Sequence, residues 1–221
     1  MPYIEIKKSL LYEVAKRLID IIFSIILIIF FSPIILVVAI AIRLDSKGPI
    51  FADTPERVGR NGKTFKMYKF RSMVENAHEL LRQNPKFSRL YQDYKHGSYK
   101  LKDDPRITRI GRIIRKHSLD EVPQFFNILQ GEMSLVGPRA YYPDELQEQQ
   151  KKYPYTAGSV KIVLSVKPGI TGYWQVSGRS EINFDKRIEM DASYVRKRSI
   201  IYDFWIIIKT PWAMLSGKGA L

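Results

Sequence analysis

Apolar and polar residues are unevenly distributed along the 221-residue chain. From Ile21 to Ile42 no charged residue occurs, close to the ~20 residues that a membrane-spanning helix needs. The run is too long for the apolar part of a signal peptide and lacks a small-x-small cleavage site, so the sequence predicts a retained membrane segment. Ser32-Pro33 sits near its centre. Proline lacks an N–H and its ring opposes the carbonyl four residues back, so a helix kinks or breaks there, and the Ser32 hydroxyl can serve the backbone groups so released.

Taken alone, the proline fits an ordinary kinked spanning helix. The flanks point elsewhere. Lys7, Lys8, Lys16 and Arg17 precede the run, and Arg43, Lys47, Arg57, Arg60 and Lys63 follow it. Positive residues mark the cytoplasmic side, and here both ends are marked. Two arms of roughly 12 to 16 residues reach only about 18 to 24 Å at 1.5 Å per residue. A re-entrant hairpin broken at Ser32-Pro33 satisfies both observations. This gives residues 1–47 as the membrane hairpin and 48–221 as the remaining domain, with the boundary near Gly48.

Beyond the boundary, Asn61-Gly62 is a strong hairpin signal. Phe65, Met67 and Lys69 alternate with Lys66, Tyr68 and Phe70, which predicts a small β-hairpin. Residues 74–83 look helical, and 85–102 read as a mobile insertion or a surface helix. A basic amphipathic helix is expected before a turn at Ser118, then a helix from about Leu119 to Leu129 ending at Gly131, with further helices at 143–152 and 184–197. In the tail "IIYDFWIIIKTPWAML", Tyr202, Trp205 and Trp212 suit a membrane interface, while packing on the domain core is the plainer alternative. The fold class is α+β, mainly helical, with a membrane hairpin, a small β-hairpin and interfacial amphipathic helices.

Charge narrows the partners. The net charge is +14 and the pI about 9.8, which calls for an anionic partner: nucleic acid, an anionic membrane face or a phosphorylated substrate. There is no Cys, hence no disulfide, thiol nucleophile or Cys-ligated metal. The three His residues, His78, His96 and His117, form no H-E-x-x-H pattern, so zinc hydrolysis is not expected.

The stretch "RKHSLDEVPQ", Arg115 to Gln124, concentrates the chemistry. Ser118 and Glu121 have the spacing of a helix-capping box, and that explanation stands beside a functional one. Asp120 and Glu121 are adjacent, so on a helix they diverge by about 100°. Arg112, Arg115 and Lys116 lie just upstream, where they would lower carboxylate pKa values and keep a nucleophile ionised. A carboxylate, cations and a helix start suit phosphoryl transfer, in which positioning and charge neutralisation carry the catalysis. Lys69 and Arg71 share one face of the expected strand and could hold a diphosphate, although a solvated strand face is the alternative. Arg139 follows the rigid Gly137-Pro138 turn, and Arg179 is presented similarly; each is weak evidence alone. Asp104 either serves a cation or starts an Asp-Pro turn.

Taken together, "MYKFRSM", "DPRITRIGRIIRKHSLDEVPQFFNILQGEMSLVGPR" and "VKPGITGYWQVSGR" resemble the bacterial sugar-transferase family of monotopic phosphoglycosyl transferases, in order and from Val14 to the end. The resemblance implies an enzyme of the inner (cytoplasmic) membrane, facing the cytoplasm, that transfers a sugar 1-phosphate from a nucleoside diphosphate sugar to undecaprenyl phosphate. That step initiates capsule, exopolysaccharide, O-antigen or glycan synthesis. By the same resemblance Asp120 is the covalent nucleophile and the likeliest Mg2+ contact, with Glu121 assisting, and Lys69, Arg71, Arg112, Arg115, Arg139 and Arg179 are candidates for substrate binding. The family's re-entrant break falls on Ser32-Pro33, in the inner leaflet. A homo-oligomer is left open. The alternative is a non-catalytic monotopic adaptor that binds anionic lipid; a nucleic-acid partner is not expected, because the basic residues cluster around carboxylates instead of forming one stripe.

Overall fold

A computed structural model of the chain describes residues 9–96, 101, 103–178 and 182–215. It starts with α1, Leu10–Asp45, a single helix of 36 residues capped by Ser9, whose side chain accepts from the Tyr12 N–H. α1 is long and apolar enough to cross a membrane. The helix runs through Ser32-Pro33 without interruption, which corrects the expectation of a broken helix at that pair. The reason is local: Pro33 cannot donate to the Ile29 carbonyl four residues back, and the Ser32 hydroxyl donates to that carbonyl at 2.8 Å.

One face of α1 packs against the rest of the protein over most of its length. Ile19, Phe23, Leu27, Phe31 and Ile35 meet the main core, and Val38 and Ile42 meet Phe70 and Ile114. The opposite face is apolar and uncovered, with Leu18, Ile22, Ile29, Phe30, Val37 and Ile40 each more than half exposed. Both ends of α1 are tied by polar contacts to the same body. At the start, Arg17 donates to the Ile128 and Leu129 carbonyls and Asp20 accepts from Ser134 and Leu135. At the end, Asp45 accepts from the Ile110 N–H, and Arg71 donates to the carbonyls of Ile42, Ser46 and Lys47.

The expected hairpin is present. β1, Arg57–Val58, pairs antiparallel with β2, Thr64–Phe65, in the register Arg57 to Phe65 and Val58 to Thr64. Asn61 and Gly62 both take positive φ between the strands, which is why that dipeptide closes the turn. The ladder stops at Phe65, shorter than the alternation of residues 65–70 predicts; beyond it the segment makes isolated antiparallel bridges, Phe70 to Phe51 and Met73 to Ile107. α2, Ala77–Gln83, and α3, Ser88–His96, follow. Within 85–102, α3 is therefore a folded helix; it packs through Tyr94 onto Leu81 and Tyr142 and pairs Lys95 with Glu148 at 2.7 Å.

α4, Arg109–Lys116, is the expected basic helix and is capped by Thr108. Its Gly111 lies against the Ser72 carbonyl, where a Cβ would sit 1.9 Å away. α5, Gln124–Gln130, ends at Gly131 with φ 83°. β3, Ser134–Val136, comes next, then α6, Pro143–Lys152, and α7, Ala157–Val163. β4, Gly169–Thr171, pairs parallel with β3. Gly137 and Gly169 let these backbones meet: a Cβ on Gly169 would stand 2.1 Å from the Gly137 nitrogen. α8, Tyr173–Ser177, and α9, Phe184–Lys197, lead to α10, Ile200–Leu215.

α10 packs on the domain core, the plainer of the two readings of the tail. Ile206 is fully buried, and the Asp203 carboxylate accepts from Lys16, Tyr12 and Tyr194. Ile201, Ile208 and Trp212 are exposed on the other side. The chain is thus mainly helical with two small two-stranded sheets among the described residues.

Candidate active site

Ser118 adopts the left-handed conformation, φ 54°, at the end of α4 and makes no side-chain capping bond. The capping-box reading of Ser118 and Glu121 therefore fails. A 3-10 turn over Leu119–Glu121 follows, and α5 begins only after Pro123, later than the predicted start at Leu119. Pro123 has no N–H to give to the turn before it, so a continuous helix from Leu119 would lose a bond there. The outcome is a tight turn that presents Asp120 and Glu121 in different environments.

Asp120 is 9% exposed. Its carbonyl accepts from the Phe70 N–H at 3.0 Å, which links the turn to the "MYKFRSM" segment. Glu121 is more open and takes the Lys69 ammonium at 2.8 Å. Burial raises the Asp120 carboxyl above the ordinary aspartate range; Lys69 and Arg115 oppose the shift, and Glu121 adds to it. The expectation that neighbouring cations would lower its pKa is therefore reversed, because desolvation outweighs them.

Lys69 and Arg71 part company. Lys69 faces the dyad, whereas Arg71 is buried with its guanidinium on the carbonyls at the end of α1. Arg115, half-buried in the last turn of α4, lies in the electrostatic field of Asp120, and Arg112 is exposed on the same helix. Asp104 is held by Arg106 in a nearly buried two-pronged pair at 2.5 and 2.8 Å, so the turn reading of "DDPRIT" describes it.

Arg139 belongs to a separate buried cluster. Its backbone N–H donates to Asp191 at 3.1 Å, and its guanidinium lies near Trp174, Tyr141 and Glu145. Arg187 crosses the same rings and pairs with Glu145 at 3.1 Å. Arg179 lies outside the described residues.

Sequence reasoning passed over Asn127. This fully buried side chain accepts from the Tyr68 N–H at 2.9 Å and donates to the Lys66 carbonyl and to Glu132. It fastens α5 to the segment that leads to Lys69. Its signal is a lone amide inside the apolar "FFNIL" of a short helix, since a buried polar group needs partners.

Among the described residues no group of three metal-ligating side chains occurs. Mg2+ is commonly held by one or two carboxylates completed by substrate phosphates and water, and the Asp120–Glu121 turn offers that kind of donor set.

The chain matches the family model described as "Bacterial sugar transferase" over residues 11–217. It is 42% identical over 205 residues to an undecaprenyl-phosphate galactose phosphotransferase of Salmonella typhimurium, covering 93% of this chain and 41% of the relative. It is 38% identical over 214 residues to a UDP-glucose:undecaprenyl-phosphate glucose-1-phosphate transferase of Klebsiella pneumoniae, covering 94% and 41%. A shorter relative, the exopolysaccharide production protein ExoY of Sinorhizobium fredii, is 37% identical over 207 residues, covering 94% of this chain and 88% of the relative. The chain thus spans about two fifths of several relatives that it matches. With nearly its whole length matched by the family model, the chain belongs to the bacterial sugar transferase family.

Proposed function

We propose that this protein is a membrane-bound phosphoglycosyl transferase that moves a sugar 1-phosphate from a uridine diphosphate sugar to undecaprenyl phosphate through a covalent aspartate intermediate. The observation that carries the reading is the Asp120 turn, a shielded carboxylate beside Glu121, Lys69 and Arg115 at the end of a basic helix. Relatives named as undecaprenyl-phosphate sugar phosphotransferases support the reaction class.

An Asp120 carboxylate oxygen attacks the β-phosphorus, the bond from that phosphorus to the bridging oxygen breaks, and the nucleoside monophosphate leaves with the bond's electron pair. An oxygen of undecaprenyl phosphate then attacks the same phosphorus and returns the aspartate as a carboxylate. The product is the lipid diphosphate sugar. Lys69 holds Glu121 and, with Arg115, favours the ionised form of Asp120 against the cost of burial. Asp120 and Glu121 would hold magnesium together with the substrate phosphates, and its charge would stabilise the phosphoryl oxygens.

Membrane placement is part of the same proposal. The uncovered apolar face of α1 lies in the cytoplasmic leaflet, and the continuous helix stays in that leaflet without crossing to the other side. Support comes from the polar ties that bind both ends of α1 to one body. The exposed Ile208 and Trp212 of α10 lie at the interface.

The test offers the purified chain, with Mg2+, a uridine diphosphate sugar radiolabelled in its sugar phosphate. Wild type should acquire label and pass it to undecaprenyl phosphate, and Asp120→Asn should do neither. Near-normal lipid product from Asp120→Asn would reject the covalent step. A wild-type protein that binds anionic vesicles but releases no nucleoside monophosphate would instead be the adaptor.

A further inference from the structure

A cavity at the start of α1 does not touch Asp120. It encloses about 350 Å³ at the first turns of α1, between that helix, the hairpin turn, β3, the segment before β4 and the end of α9. Arg17 reaches the carboxyl end of α5, the end opposite the Asp120 turn.

Its walls carry five cations, Lys16, Arg17, Arg60, Lys167 and Arg198, against the two acids Glu13 and Asp20. The acids are already engaged. Glu13 pairs with Arg198 at 2.7 Å, and an Asp20 oxygen accepts from the Ser134 hydroxyl and the Leu135 N–H. Lys16 is held by Asp203. The Arg60 and Lys167 side chains make no hydrogen bond or ion pair to any described residue, and the Arg60 Nε is buried with no partner. Burial first, then Arg17 and Arg60, lower the Lys167 ammonium below the ordinary lysine range, with Asp20 and Glu13 opposing the shift.

The rim is apolar. Val14 and Leu18, 50% and 55% exposed, line the cavity and begin the uncovered stripe of α1. The cavity thus opens about one turn before the charge-free run that starts at Ile21. A soluble anion needs only the cations. A cationic cavity whose rim continues as an apolar helix face fits an anion attached to an acyl or prenyl chain.

We infer that this cavity binds the phosphate of a lipid headgroup, at a site separate from the Asp120 turn. Arg60 and Lys167 hold the phosphate oxygens, and the chain of the same lipid lies along Val14, Leu18 and the stripe beyond. Two lipids share the chemistry, an anionic phospholipid and undecaprenyl phosphate.

Native mass spectrometry of the full chain in neutral detergent distinguishes them, with phosphatidylglycerol, undecaprenyl phosphate or inorganic phosphate added separately. Wild type, Asp120→Asn and the charge-matched surface control Lys86→Gln/Arg89→Gln should all retain one lipid. Arg60→Gln/Lys167→Gln should retain at least tenfold less, and the lipid whose retention falls is the occupant. Equal retention by the pocket variant, equal loss in the surface control, loss in Asp120→Asn, or occupancy by inorganic phosphate alone would each overturn the site. Without lipid, the pocket variant should melt at the wild-type temperature or above it; a lower melting point would make the two cations structural and also overturn the inference. Binding is read here instead of turnover, so a negative result leaves the transfer reaction standing.

Discussion

The Asp120 turn and the cluster around Asp191 each bury an aspartate, and burial is the main force raising both above the ordinary range. Their surroundings differ. Asp191 is closed in: it accepts from the Arg139 N–H and the Tyr141 hydroxyl, beneath two guanidinium groups stacked on Tyr141 and Trp174. Asp120 sits on a short turn, and the cation nearest in effect, Lys69, reaches it from an adjoining segment and is bonded to a half-open glutamate. A closed cluster holds the fold, whereas an edge with one side open leaves room for a substrate.

The widest gap between the two should appear in activity. Asp120→Asn should reduce nucleoside monophosphate release on the order of 10³-fold or more with no loss in thermal midpoint. Asp191→Asn keeps an acceptor oxygen for both donors and should retain activity. Comparable activity losses in the two variants would erase the distinction.

Breaking ion pairs sharpens it next. Arg187→Met leaves the fully buried Glu145 with Arg139, 3.9 Å away, as its remaining cation beside the Tyr142 N–H, and should cost about 3–5 kcal/mol in urea unfolding. Lys69→Met removes the ammonium beside the partly exposed Glu121 and should cost less than about 1 kcal/mol, while slowing transfer about 10- to 100-fold, or about 1.4–2.7 kcal/mol in the barrier.

The pH dependence separates the regions further. Asp191 titrates at about 7 in the folded protein, against about 3.9 when unfolded. A raised folded pKa gives stability that is complete below the unfolded value and lost as pH rises through the folded one. Between pH 4 and 7 this group should therefore subtract up to about 1.4 kcal/mol per pH unit. Asp191→Asn should flatten that part of the urea midpoint against pH.

The smallest effect lies far from both regions. Ser32→Ala removes the hydroxyl that serves the Ile29 carbonyl freed by Pro33 and should lower stability in detergent by about 0.5–1.5 kcal/mol. No change in the melting curve would mean that lipid or detergent tolerates the free carbonyl.

Much of this molecule was legible before its structure. The charge-free run, the Asn61-Gly62 turn, the basic helix and its stop at Ser118 follow from local chemistry, and the motif order pointed to the family. What escaped was decided by distant partners. Lys69 and Arg71 alternate correctly for a strand, yet Arg71 turns inward because the carbonyls at the end of α1 lack donors. The cations near Asp120 are visible in sequence, but the desolvation that outweighs them is not. β4 and α8 hide inside a glycine-rich stretch that reads as a connection, because the glycines serve the close approach to β3. Asp203 reads as an interruption of an apolar tail and is instead the acceptor on which Tyr12, Lys16 and Tyr194 converge.

Arg71 clasps the last carbonyls of α1, and the Phe70 N–H just before it is bonded to the Asp120 carbonyl. In mechanical terms this is a stiff joint with almost no chain between the apolar helix and the Asp120 turn. A push, tilt or twist applied to α1 is delivered to the backbone of Asp120 before any loop can absorb it. Under the proposed reaction, a shift of α1 would reach the nucleophile's turn through two neighbouring residues, Phe70 and Arg71.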